Sequence, residues 1–264
     1  MMDFETLTLE VDARGVARLV LHRPEKHNAL NAALIRDLTR AAALLAQDSA
    51  VRLVVLTGAG ASFCAGGDIG WFRDTAALDR AGRVAQSADL GHMLAALAHL
   101  PKPLIGRING PAYGGGVGMI AVCDVAIGAE EARFGLTEVR LGLIPANISP
   151  HVIARIGAAR ARATMLSGAL FDAVHAERIG LLDRAVPMAD LDQAVEDVVA
   201  AHLEAAPGAV AATKALIRDV VATAPADHVA LTSARLADAW ESAEGQTGIA
   251  AFLARQTPPW RSGS

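Results

Sequence analysis

The chain has 264 residues, 53% of them apolar and only 4% aromatic, with a formal charge of −4. That length fits one large domain or two small ones around an aliphatic, alanine-rich core, and the lack of a basic run excludes nucleic acid as a partner, because phosphate binding needs clustered Lys and Arg. Cys64 and Cys123 stand at no metal-ligand spacing and no His-Glu-x-x-His pattern occurs among the eight histidines, so neither metal nor disulfide is expected. The N-terminus lacks a basic start followed by an apolar run, and no uninterrupted apolar stretch approaches membrane length. A soluble, cytoplasmic protein without membrane attachment is expected.

In chain order, Leu7–Val11 and Val16–Leu21 flank Asp12-Ala-Arg-Gly15 and read as a β-hairpin. From Asn31 to Ala46, Leu34, Ile35, Leu38, Ala42 and Leu45 fall on one helical face, and Asn31 can cap it. Val51–Thr57 and Pro103–Ile108 read as buried strands, so the first part is an α/β layer arrangement. Helical patterns follow over Ser149–Ile156, Ala158–Leu166, Asp172–Ile179, Leu191–Glu204, Gly208–Val221 and Ala226–Glu244, with Arg184–Val186 as a late strand. Pro187 and Pro207 punctuate this region. Residues 1–190 are therefore expected to form an α/β core and residues 191–264 a helical C-terminal region.

Two glycine-rich segments carry the chemistry. Ser62-Phe-Cys-Ala-Gly-Gly-Asp-Ile69 follows a strand, and Asn109-Gly-Pro-Ala-Tyr-Gly-Gly-Gly-Val-Gly118 runs into the apolar Met119–Cys123. Glycines at a helix start bare main-chain N–H groups toward a ligand oxygen. Neither segment completes a dinucleotide fingerprint, since Phe63 and Met119 occupy the last glycine slots. Either segment alone reads most simply as a tight turn; the pair, with the isolated Glu138 downstream, supplies two backbone donors and one carboxylate, the parts of an oxyanion site with an acid/base group.

The ordered set of these two segments, Cys123-Asp124 and Phe134-Gly-Leu-Thr-Glu-Val-Arg-Leu-Gly-Leu-Ile-Pro145, extending from Arg23-Pro24 and Asn28-Ala-Leu-Asn31 to Ala251-Phe252, resembles the crotonase (enoyl-CoA hydratase/isomerase) superfamily. The resemblance implies an α/β fold of the ClpP/crotonase-like type, a spiral core of ββα units with a C-terminal helical trimerisation region. It implies an acyl-CoA thioester substrate, no separate cofactor beyond the coenzyme A of that substrate, and a homotrimer or dimer of trimers. By position, Gly67 and Gly115 would hold the thioester oxygen and Glu138 would be the catalytic carboxylate. Lys26, Ala29 (through its backbone), Leu30 and Ala65 would hold the CoA portion, while Asp68, Ile69, Tyr113, Gly114, Gly118 and Asn147 would line the substrate site. Arg255 stands near the place from which relatives offer a lysine to a neighbouring subunit.

Simple hydratases of this family carry two glutamates; here Gly118 stands at the first position and only Glu138 remains. Positioned acid/base catalysis is worth roughly 10²–10⁴ in rate, so losing one member slows the reaction, recruits another group or changes the chemistry. The segment Pro145-Ala-Asn-Ile-Ser-Pro-His151, with Gly118, resembles the methylglutaconyl-CoA hydratase-like subgroup, in which Asn147, Ser149 or His151 could orient a water or a polar acyl tail. For Ser149 helix capping, with Pro150 at the first helical position, is at least as good a reading. Hydration of a 2-enoyl-CoA is the leading expectation; a Δ3-Δ2 enoyl-CoA isomerase, which needs one carboxylate, and a non-catalytic acyl-CoA binder are the alternatives. Trp71 and Phe72 read as pocket walls or ordinary core, and Cys64 as packing.

Overall fold

The computed structural model describes residues 4–261. Strands β1 (Leu7–Val11) and β2 (Val16–Leu21) form the expected antiparallel hairpin. Helix α1 (Ala32–Gln47) follows, and Asn31 caps it by accepting from the Leu34 amide. Then come β3 (Leu53–Gly58), α2 (Ile69–Ala77), α3 (Arg80–Ala98), β4 (Leu104–Ile108), β5 (Ala112–Tyr113), α4 (Gly115–Ala121), β6 (Val125–Ala129) and β7 (Arg133–Gly135). The chain continues through α5 (Ser149–Met165), β8 (Phe171–Asp172), α6 (Ala173–Arg178), β9 (Arg184–Val186), α7 (Leu191–Leu203), α8 (Pro207–Ala222), α9 (His228–Glu241) and α10 (Ala243–Leu253).

Six strands make the main sheet in the order β1-β2-β3-β4-β6-β9, parallel from β2 onward. Parallel strands alternate with crossover helices, so both faces of the sheet are covered and β3 is buried along its whole length. Val54, Leu56, Leu104 and Ile108 face a core shared with α1 and α3, whereas Leu53, Val55, Ile105 and Ile127 face Leu191, Ala194, Val195 and Val199 of α7. The period of two along each strand thus feeds two apolar layers. A smaller sheet, β5-β7-β8, stands apart and carries the second glycine segment on its first strand.

Several elements differ from the sequence expectation. Helices α2 and α3 fill a stretch for which the sequence reading assigned no element, and β6, β7 and β8 were likewise not expected. The pattern over Ala226–Glu244 is two helices, because Ser242 adopts extended backbone and its hydroxyl accepts from the Gly245 amide to start α10. The expected break between Ser149–Ile156 and Ala158–Leu166 is present inside α5, where Gly157 takes φ 77°. No helix among the described residues is long and apolar enough to cross a membrane.

Buried Asp37 on α1 fixes where β1 begins: its Oδ2 accepts from the Glu5 amide at 3.1 Å, the Thr6 amide at 3.0 Å and the Thr6 hydroxyl at 2.8 Å. Removing the acceptor from buried donors costs their desolvation as well as the bonds. Asp37→Ala is expected to lower stability by about 2–4 kcal/mol in urea unfolding; a loss below about 0.5 kcal/mol would show that the clamp is idle.

Candidate active site

The first loop is fixed by a buried asparagine. Asn28 sits at φ 54°, a left-handed conformation that asparagine tolerates better than most residues. Its Nδ2 donates to the carbonyls of Ala59 at 2.9 Å and Ser62 at 2.8 Å, and its Oδ1 accepts from the Arg23 amide at 2.9 Å. The Arg23 guanidinium in turn donates to the Ala29 carbonyl and pairs with Asp68 at 2.9 Å. Burial works against the charged form of Asp68, but Arg23 and the Gly70 amide outweigh it and hold the carboxyl below its ordinary range. Asp68 also caps α2 through that amide, at 2.8 Å.

Leu30 pairs with both neighbours of Gly67: its amide donates to the Gly66 carbonyl at 2.7 Å, and its carbonyl accepts from the Asp68 amide at 2.8 Å. Gly67 is skipped by this pattern, and its N–H finds no partner among the described residues. The second loop lies against the first, with the Tyr113 amide donating to the Cys64 carbonyl at 3.0 Å. A Cβ on Gly116 would stand 2.4 Å from the Cys64 carbonyl oxygen, and one on Gly115 would stand 2.4 Å from Leu30 Cδ1. Glycine at 116, which meets backbone, is therefore a packing requirement, whereas a side chain at 115 would have to displace the tip of Leu30. The Gly115 N–H, at the first position of α4, is one of the donors a helix start leaves unpaired. Both residues with open amides lie against Leu30, Gly67 beside its backbone and Gly115 beside its side chain.

Glu138 begins a 3-10 turn, Glu138–Leu141, just after β7. The β7 residue Gly135 accepts from the Gly114 amide at 2.9 Å, which ties the glutamate's strand to the second loop. Glu138 Oε1 lies 3.0 Å from the point a Cβ on Gly114 would occupy, so the carboxyl rests against the residue beside Gly115. Its Oε2 is buried without a hydrogen-bond partner. Desolvation pushes the carboxyl above its ordinary value of 4.5. A buried acceptor left unpaired is costly, and its persistence marks a place where a ligand supplies the missing donor.

The position of a second carboxylate is closed. A Cβ on Gly118 would meet Ile148 Cγ2 at 2.4 Å and Ile148 Cβ at 2.9 Å, with Leu94 Cδ1 at 3.7 Å. Ile148, at the start of α5, fills the space that a side chain on α4 would need.

The remaining expected site residues spread around this centre. Lys26 is exposed in a 3-10 turn, and its carbonyl accepts from the Ala29 amide at 3.0 Å, so both main-chain groups of Ala29 are engaged inside the loop. Ala65 is half-buried, its amide held by the His27 carbonyl at 2.9 Å. Ile69 is 80% exposed at the start of α2, and Tyr113 is half-buried beside the glycines. Asn147 Oδ1 accepts from the Ser87 hydroxyl of α3 at 2.9 Å. Ser149 does not cap α5 as expected: it is already the first helical residue, and its hydroxyl turns back to the Ala146 carbonyl at 2.8 Å. Burial, with His99 nearby, lowers His151 below its usual range. Burial pushes the Cys64 thiol up to about 12, in keeping with a packing role. Sequence reasoning missed Arg23 as the brace of Asp68, the Asn28 clamp, Ser87 and Ile148.

A family model described as enoyl-CoA hydratase/isomerase matches residues 12–263. Enoyl-CoA hydratase ACTT6 of Alternaria alternata is 36% identical over 215 residues, 81% of this chain and 70% of that protein. Among solved structures, an enoyl-CoA hydratase from Shewanella pealeana is 33% identical with a TM-score of 0.94, covering 97% of this chain and 96% of the other. Pseudomonas aeruginosa AtuE is 37% identical with a TM-score of 0.94, covering 98% and 100%. The mixed α/β architecture described above is the fold these structures share.

Gly118→Glu is expected to destabilise the protein by at least about 1–3 kcal/mol, the range for overpacking, and Gly118→Glu with Ile148→Ala to recover much of that loss in thermal unfolding. A single variant as stable as the wild type would show that Ile148 does not close the position.

Proposed function

The chain belongs to the enoyl-CoA hydratase/isomerase (crotonase) family, and from that premise we propose that it adds water across the 2,3-double bond of an enoyl-CoA thioester. The observation that carries this reading is the buried, unpartnered Glu138 Oε2 together with the two open amides of Gly67 and Gly115, residues that both lie against Leu30. The thioester oxygen accepts from the N–H groups of Gly67 and Gly115. Water gives its proton to Glu138 as its oxygen bonds to C3; the π electrons move to the thioester as an enolate, whose charge the fixed amide dipoles meet without reorganising. Glu138 then returns the proton to C2 and the carbonyl re-forms. Coenzyme A enters as part of the substrate, its nucleotide portion held along Lys26, Ala29, Leu30 and Ala65, and no further cofactor takes part.

The substrate acyl group is branched or carboxylated, as in 3-methylglutaconyl-CoA. Two features support this: the Pro145–His151 segment differs from the glycine-rich stretch of simple hydratases, and Asn147 spends its oxygen on Ser87, leaving its amide N–H groups to face an acceptor. The protein assembles as a homotrimer or a dimer of trimers through its C-terminal helices, whose Ile217, Val221, Leu236, Trp240 and Phe252 are exposed in the single chain. One observation favours a second reading, a Δ3-Δ2 enoyl-CoA isomerase: Ile148 fills the second carboxylate's place, and a 1,3-proton shuttle needs only Glu138.

Purified protein offered crotonyl-CoA, 3-methylglutaconyl-CoA and a 3-enoyl-CoA should consume the conjugated thioester absorbance of at least one 2-enoyl substrate. Glu138→Gln should lower kcat by about 10²–10⁴-fold. The base must be ionised, so kcat/KM should fall as pH drops through the Glu138 pKa, with a midpoint above the ordinary 4.5. Turnover of the 3-enoyl-CoA alone would favour the isomerase, and full activity in Glu138→Gln would remove Glu138 from the mechanism.

A further inference from the structure

Among the described residues two buried side-chain polar atoms have no hydrogen-bond partner: Glu138 Oε2 and Trp71 Nε1. They are complementary. A carboxylate oxygen accepts, whereas an indole N–H can only donate. Native proteins leave few such groups orphaned, so two in one chain call for a common explanation.

Trp71 stands on the helix that follows Gly67, and Glu138 rests against the residue before Gly115. Trp71 is the third residue of α2, four residues after Gly67, and its neighbour Phe72 lies with ring carbons 2.7 Å from the point a Cβ on Gly67 would occupy. The rings of Trp71 and Phe72 are 6.1 Å apart, centroid to centroid. Trp71 is partly buried against the main core, the large apolar cluster to which Leu30, Leu94 and Ile148 also belong. The Thr75 hydroxyl bonds to both the Trp71 carbonyl and the Gln86 side chain at 2.6 Å, which pins this part of α2 to α3.

We propose that the Trp71 indole N–H holds the oxygen that is added to C3, as the donor opposite Glu138. This rests on the hydration reading above. With the second carboxylate's place filled by Ile148, a water held by Glu138 alone would have one fixed partner, and an ordered water needs at least two. Donation from Trp71 occupies one lone pair of that water, leaving the other for C3 and one O–H bond for Glu138. In the product the same two contacts persist: the 3-hydroxyl donates to Glu138 and accepts from Trp71. Bonds and protons balance as in the proposed reaction, because the indole binds and does not transfer its proton.

Trp71→Phe keeps an aromatic ring and deletes the donor. It should lower kcat for hydration at least tenfold and change KM less than threefold. By calorimetry it should weaken binding of 3-hydroxybutyryl-CoA about tenfold and leave butyryl-CoA, which lacks the hydroxyl, unchanged. In ¹⁵N-tryptophan-labelled wild type, where Trp71, Trp240 and Trp260 are the only indoles, the Trp71 N–H resonance should move with 3-hydroxybutyryl-CoA and not with butyryl-CoA. The NMR measurement needs no folded Trp71 variant, since Trp240→Phe and Trp260→Phe assign the peak. A kcat within twofold of wild type, equal loss of both ligands, or an indole signal indifferent to the 3-hydroxyl would overturn the proposal. A wild type that hydrates no enoyl-CoA would instead refute the hydratase reading, while the two ligands still report on Trp71.

Discussion

The site depends on one constraint: two loops from distant parts of the chain approach so closely, with Gly116 against the Cys64 carbonyl, that a side chain cannot be accommodated there. A Cβ on Gly115 or Gly116 would intrude on Leu30 or on the Cys64 carbonyl, and the Leu30 backbone bonds to either side of Gly67 and passes it over. Packing and function therefore make the same demand. The contact that requires glycine also leaves two amide dipoles without partners, fixed in place before any ligand arrives, which is the condition under which such donors are most effective. Asn28, Arg23 and Asp68 brace one loop, and the pairing of β5 with β7 braces the other.

Around those amides the side chains decide the reaction. Glu138 rests against Gly114 with one oxygen unpaired, and burial raises its proton affinity toward the range in which a carboxyl can both take and return a proton. Ile148 occupies the volume of the missing second carboxylate. Its replacement of a charged group by a methyl-bearing wall removes like-charge repulsion from the site, so desolvation, partly offset by a hydrogen bond from Glu138's own backbone, sets the shift of Glu138. The Trp71 indole, a neutral donor also left without a partner, is the complement proposed above for this single acceptor.

The features legible in the sequence were those that one residue type imposes locally. Asn31 as a cap, Asp12–Gly15 as a hairpin turn, Gly157 as a break and the two glycine clusters each follow from backbone geometry or local hydrogen bonding. Helix α3 was not legible because only Leu90, Met93, Leu94 and Leu97 in its second half are buried, so the helical period is absent from its first half. Strand β6 was hidden by its burial on both faces, which erases alternation and leaves a short apolar run next to a helix. Within the site, Gly118 could be read as an absence, but its filling by Ile148, thirty positions away, is a contact between helices that no local pattern encodes. The orphaned atoms of Glu138 and Trp71 are likewise visible only once every buried donor and acceptor has been matched in three dimensions.

The central claim, that two fixed amides polarise a thioester carbonyl, is tested most directly by infrared spectroscopy of a bound acyl-CoA carrying ¹³C at the thioester carbon. Two strong donors should move the carbonyl stretch to lower frequency than in the free thioester, in wild type and in Glu138→Gln alike, since the amides act independently of the carboxyl. A carbonyl band that stays at its free-solution position in saturated complex would contradict the account.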